Sequence, residues 1–279
     1  MSLRDLVVFL EAGPGCSDRL AYAAALAKRS QAHLIATFVS EPLVLNPHAG
    51  FAIGAALPDM LATYRKRTAA ALELIRAEFE QLTARRSFTA EWRESNNQTA
   101  EALMLHARHA DLAVLGPPAE QNNDITMLGL SERAVFESGR PCLLVPTDWP
   151  WQRIPTRVVI GWNGGAEATQ AIADALPLLA ACEAVHLVVV PEARTHATYG
   201  EDPGADMAAH LARHDVPVVL EQCSGNDDAG AVLLECCQAV DADLLVMGAI
   251  GRSRISEFVL GGATRTVLAR ARLPLLVSH

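Results

Sequence analysis

Positive charge is in deficit along this 279-residue chain: 23 lysines and arginines stand against 32 aspartates and glutamates, a formal net charge of −9. A surface of that sign disfavours a general nucleic-acid binder and a protein drawn to anionic membranes. Long apolar runs are also missing. The longest are strand-sized, well short of the roughly 20 residues of a membrane-spanning helix. The opening MSLRDLVVFLEAG has no basic stretch leading into a long apolar core, so it does not read as a signal peptide. The six cysteines (Cys16, Cys142, Cys182, Cys223, Cys236 and Cys237) include no CxxC pair. Cys236 and Cys237 are neighbours in a helical pattern, where adjacent side chains diverge. Reduced, buried thiols in a soluble cytoplasmic protein are the expectation.

Recognisable catalytic sets are absent too. No triad assembles, and no paired carboxylates stand out. His210 and His214 are four apart on an expected helix, but no third ligand lies at metal-site spacing, so a partly exposed polar face is the better reading. His106 and His109 fall near a helix end, where the dipole is reason enough for them. No metal ligands and no catalytic residues are expected.

What the chain does have is a repeat. LRDLVVFLEAG near the start is echoed by PTRVVIGWNGG at 155–165, and HADLAVLGPP at 109–118 by DADLLVMGAI at 241–250. Asp111 and Asp243, Gly116 and Gly248, Gly129 and Gly261, and Arg133 and Arg265 all stand 132 residues apart. Such a constant register marks a duplicated unit. Each copy alternates short apolar runs with helical patterns. In the first, LVVFL, HLIATFV, FTAEWR, LAVLG and CLLV read as strands, with helices at 17–29, about 57–85, 99–109 and 131–138. The second repeats this with VVIGW, VHLVVV, PVVLEQ, LLVM and LLV, and helices at about 166–180, 206–214, 229–240 and 263–271. Strands alternating with helices imply parallel pairing, right-handed crossovers and helices on both faces. The expected fold class is therefore α/β: two doubly wound domains, 1–147 and 154–279, each a five-stranded parallel sheet in the order 3-2-1-4-5. The segment VPTDWPWQRIPTR, with three prolines and two tryptophans, is the expected linker. The final LLV strands are candidate edges for pairing the domains, and a further homodimer of the chain is an open alternative. Residues 40–57 form a long excursion that the second copy shortens.

Chemistry, if any, should sit beyond the C-terminal strand ends, where doubly wound sheets bind ligands. The stretch VMGAIGRSRISEFVLGGATRTV, residues 246–267, leaves the fourth strand of the second copy at such an end. Its glycines could let backbone amides approach an anion. Gly262, Ala263 and Thr264 would open the last helix, whose free amides and positive dipole end favour phosphate. A turn that simply needs small residues is the equal alternative until charge is considered. From Gly248 to Arg272 there are five arginines (252, 254, 265, 270 and 272) and one acid, Glu257. The matching window of the first copy, Gly116 to Arg140, has four acids and two arginines. Only the second copy suits a polyanion. Asp227 and Asp228 precede a helix and read as N-terminal caps.

The repeat resembles the universal stress protein family in its tandem, two-domain form. Nucleotide-binding members carry Gly, two residues, Gly, nine residues, then Gly followed by Ser or Thr. This chain matches at Gly248, Gly251 and Gly261 but has Gly262 where the hydroxyl residue belongs. The resemblance implies ATP or a related adenine nucleotide, with magnesium as an accompanying ion, held by the second domain. Phosphates and ribose would rest on the loop, with Gly262, Thr264 and the guanidinium of Arg252 beside them. The base would lie near the ends of the first two strands, where Asn163 replaces the family's frequent Asp. The first copy reads Gly116-Pro117-Pro118-Ala119, and proline supplies no amide hydrogen; a degenerate, mainly structural copy is expected. The alternatives are a nucleotide-free scaffold for proteins or an apolar ligand, and a slow ATP hydrolase.

Overall fold

A computed structural model describes residues 2–40, 57–84, 87–96, 100–117, 130–190, 203–223, 228–249 and 261–279. The first half runs β1 (Asp5–Leu10), α1 (Cys16–Ser30), β2 (His33–Ser40), α2 (Leu57–Thr83), β3 (Ala90–Asn96), α3 (Ala100–Arg108), β4 (Leu112–Leu115), α4 (Leu130–Glu137) and β5 (Cys142–Leu144). The second runs β6 (Arg157–Trp162), α5 (Ala166–Leu179), β7 (Ala184–Val189), α6 (Ala205–Arg213), β8 (Val218–Gln222), α7 (Ala229–Ala239), β9 (Leu244–Gly248), α8 (Gly262–Arg270) and β10 (Leu275–Ser278).

All the strands join one sheet in the order β3-β2-β1-β4-β5-β10-β9-β6-β7-β8. Each half is thus wound 3-2-1-4-5, the expected order, and doubly wound as the alternation of apolar runs and helices predicts. Strands within a half are parallel, and the halves meet where β10 pairs antiparallel with β5, Leu275 opposite Leu144 and Val277 opposite Cys142. The central strands are buried on both faces, which is why LVVFL and LLVM read as unbroken apolar runs. The outer strands differ. β3 (AEWRESN) and β8 (VVLEQ) carry charge, which blunts a free sheet edge against further pairing. β3 also begins and ends later than FTAEWR suggests, because it pairs in register with β2 from Ala90 opposite Leu34 to Asn96 opposite Ser40. There Trp92 turns inward against Phe79 of α2, ring centroids 5.4 Å apart.

Asp111 and Asp243 explain one part of the repeat. Each sits just before the fourth strand of its half and accepts hydrogen bonds from the backbone that starts the first strand. Asp111 takes the amides of Arg4 (2.7 Å) and Asp5 (3.1 Å). Asp243, almost fully buried, takes the Thr156 amide and hydroxyl (both 2.8 Å) and the Arg157 amide (3.0 Å). These carboxylates tie the entry of each first strand to its neighbour.

The segment between the halves is an anchored strap. The Trp149 indole donates to the Arg153 carbonyl (2.9 Å), and the Arg153 guanidinium lies over the Trp149 ring, 4.9 Å from its centroid. Arg153 and Arg157 both grip the Asp241 carboxylate, at 2.6 and 2.5 Å. Those guanidiniums hold the Asp241 carboxyl below its ordinary range, the Arg153 hydrogen bond contributing most.

Candidate functional site

Between the C-terminal ends of β6 and β9 the winding direction reverses, and a cleft of about 180 Å³ opens there. Its floor and one wall are apolar: Trp162 at the end of β6, Val188 and Val190 at the end of β7, Met247 on β9 and Leu233 on α7. The opposite wall is polar and mostly backbone: Asn163, Gly248, and Gly261, Gly262, Ala263 and Thr264 at the N-terminus of α8. Five of the seven residues singled out from the sequence therefore line one cleft. Gly251 and Arg252 lie outside the described residues.

Three devices fix the start of α8. Asp228 caps α7, its Oδ1 accepting from the Gly230 and Ala231 amides (3.0 and 3.4 Å), while its Oδ2 accepts from the Thr266 hydroxyl of α8 (2.9 Å). Gly230 allows the two helices to touch, since a Cβ there would stand 2.6 Å from the Ala263 carbonyl oxygen. Thr264, at 4 % exposure, plugs α8 into the core. Among the described residues no side chain caps the N-terminal amides of α8, as Gly261 at the cap position has none to offer. Such free amides suit an anion.

The individual glycines serve different ends. At Gly248 an added Cβ would lie 2.6–2.7 Å from the backbone of Glu167 and Ala168, so this glycine admits the first turn of α5 against the end of β9. Close packing accounts for it without any ligand. Gly262 is the reverse case: a Cβ there meets nothing within 4 Å among the described residues. Asn163 is exposed, and its Oδ1 accepts the Gly165 amide at 2.9 Å, which leaves its NH₂ to donate outward.

Two findings depart from the charge argument made on the sequence. Arg265 and Arg270, on the solvent side of α8, and Arg272, just beyond it, are exposed and do not line the cleft. Arg252 and Arg254 lie outside the described residues. Conversely, Glu167 on the first turn of α5 does line the cleft, as the one titratable group among the described lining residues. The sequence marks it only as an acid at a helix start, a position that many acids occupy for the dipole alone.

The corresponding place in the first half is differently built. Gly116, the repeat partner of Gly248, faces the guanidinium of Arg19, which would stand 2.9 Å from an added Cβ. Arg19 is buried and donates to the Phe9 carbonyl at 2.9 Å. Ser131, also buried, donates to the Gly116 carbonyl at 3.0 Å. An arginine side chain and a serine hydroxyl thus occupy the strand-end region against Gly116. Nothing in the spacing of Arg19 announces this, since helix patterns place charged residues outward by default.

Residues 155–279 match the universal stress protein family. The whole chain has the fold of tandem members. A universal stress protein from Archaeoglobus fulgidus DSM 4304 aligns over 98% of this chain and 97% of its own, with TM-score 0.69 and 15% identity. A functionally unknown protein from Pseudomonas aeruginosa PAO1 aligns over 99% of this chain and 92% of its own, with TM-score 0.61 and 14% identity. No curated protein sequence matches the chain. At such identities the likeness concerns fold, with both halves present in both relatives. Family members commonly bind adenine nucleotides. No described helix is long and apolar enough to cross a membrane.

Proposed function

We propose that the chain is a two-unit adenine-nucleotide-binding module of the stress-response type, cytoplasmic, with residues 1–147 as a structural copy and 154–279 holding the ligand. The observation that carries this reading is the junction of an apolar slot with uncapped helix amides at a winding reversal. The base would lie along Trp162, Val188 and Val190, near the ends of β6 and β7. Phosphates would rest on the amides of Gly261, Gly262 and Ala263, with Thr264 and Asn163 as further polar contacts and Gly251 and Arg252 completing the loop. ATP is the favoured ligand. Glu167 faces the same cleft and repels a bare triphosphate, so the ligand is the magnesium complex, whose charge is partly neutralised. Binding then stabilises the fold or biases a partner-facing conformation rather than driving fast chemistry.

Glu167 also keeps a second reading open. A lone acid amid apolar lining, with the described arginines outside, suits a nucleotide-free scaffold. One measurement separates the two: denature the purified protein, identify any nucleotide released, and titrate ATP with magnesium by calorimetry. Heat saturating at one site per chain supports the nucleotide reading. Its absence at millimolar ATP, with no released nucleotide, leaves the scaffold. Phosphate release above background would instead promote a slow hydrolase.

A further inference from the structure

All six cysteines are free, and four of them, Cys16, Cys142, Cys182 and Cys237, are buried. The other two are brought together by the fold from opposite ends of the β8–α7 crossover. Cys223 directly follows β8, and Cys236 lies on α7, one turn beyond Leu233 of the cleft wall. Their Sγ atoms stand 3.1 Å apart, in hydrogen-bond contact, and both residues are partly exposed. A disulfide requires about 2.05 Å between sulfurs, so closure asks for roughly 1 Å of combined movement. Cys237, the sequence neighbour of Cys236, points away into the core at 3 % exposure.

We propose that Cys223 and Cys236 are a thiol pair that closes into a reversible intramolecular disulfide when a hydroperoxide is present. The Cys223 sulfur attacks the terminal peroxide oxygen, the S–O bond forms, and the O–O bond breaks with loss of hydroxide or alkoxide, which takes up the thiol proton. The Cys236 sulfur then attacks the sulfenic sulfur of Cys223, the S–S bond forms, and the S–O bond breaks. The departing hydroxide leaves as water with the Cys236 proton. Two thiols are oxidised and one peroxide is reduced. Burial, the contact with Cys223 and the carboxylates of Glu221 and Glu235 push the Cys236 thiol up to about 12. The first attack is placed on Cys223, next to the exposed Gln222 at the end of the edge strand β8. Burial likewise raises Cys142 and Cys237 to about 12 and Cys182 to about 11, and keeps them out of the reaction. The bridge fastens α7 to the edge strand β8.

The test is a hydrogen peroxide titration of the full chain, read by intact mass and by peptide mapping after alkylation of remaining thiols. The expected product has lost two hydrogens, carries a Cys223–Cys236 cross-link, and returns to the starting mass with dithiothreitol. Cys237→Ser should form the bridge as the parent does. Cys236→Ser should leave Cys223 as a sulfenic acid that dimedone labels. A cross-link to Cys237, a disulfide between chains, or oxidation of Cys223 beyond sulfenic acid with no bridge would each overturn the proposal. None of these readouts depends on nucleotide binding.

Discussion

Gly262 is the position where the cleft can be tested from both sides. Family nucleotide binders carry Ser or Thr there, and in this chain no described residue lies within 4 Å of an added Cβ. Gly262 is the first residue of α8 and is not among the glycines with positive φ, so an L-residue fits its backbone unstrained. Two effects follow from Gly262→Ser, and Gly262→Ala separates them. Either substitution narrows the unfolded ensemble and should raise stability by about 0.4–1 kcal/mol. Only serine adds a hydroxyl beside the α8 amides. A hydrogen bond to a charged group contributes about 1.5–3 kcal/mol at best. An exposed position retains less than that, about 1 kcal/mol, or roughly fivefold in affinity. The assay is calorimetric titration of magnesium ATP into parent, Ala and Ser proteins, with denaturant unfolding of each. The expected order of affinity is Ser above Ala, with Ala close to the parent. Equal binding by Ser and Ala would refute the placement of phosphate at this helix end. A loss of stability in the Ala variant would refute the reading of open space at residue 262.

Gly230→Ala should drive a methyl into the Ala263 carbonyl and push α8 from α7, costing about 1–3 kcal/mol in chemical denaturation and weakening any ligand held by the α8 amides. Asp243→Ala removes the acceptor for the Thr156 and Arg157 amides in a buried setting; a loss of about 2–4 kcal/mol in urea unfolding is expected, and a loss under 1 kcal/mol would contradict its tying role. Asp241, held below its usual range by Arg153 and Arg157, is ionised more readily folded than unfolded. Its contribution is thus fully present at neutral pH and is lost as pH falls through and below the ordinary carboxylate range. Unfolding curves of the parent and Asp241→Asn should differ at pH 7 and converge in strong acid.

The parts of the fold that the sequence made legible are those dictated by local pattern. LVVFL, LLVM and the LLV endings are central strands, so both faces are apolar and no alternation confuses them. The edge strand β3 was harder to place because Glu91, Arg93 and Glu94 can face solvent there, and its limits come from pairing with β2 rather than from its own residues. Of the residues that line the cleft, Gly248, Gly261 and Gly262 stand out through a repeat and a spacing, Thr264 through the helix start that follows them, and Asn163 through the family resemblance. Glu167 and Arg19 could not. Each is one charged residue among many on a helix, and only the crossing of α5 or α1 with a strand end decides what it faces. The approach of Cys223 to Cys236 was hidden for the same reason, since it depends on how α7 packs back on β8.

The antiparallel seam between β5 and β10 has a consequence for how such a chain changes over generations. The two halves run in opposite senses, so the strand ends that carry the cleft in one half lie at the far margin of the sheet in the other. Even a five-residue strand spans about 17 Å, more than a side chain reaches. The described residues that line the cleft all belong to the second copy. The two strand-end regions can therefore change separately while sharing one scaffold. The copy around Gly116 could take up prolines and a buried arginine without any penalty at Gly262.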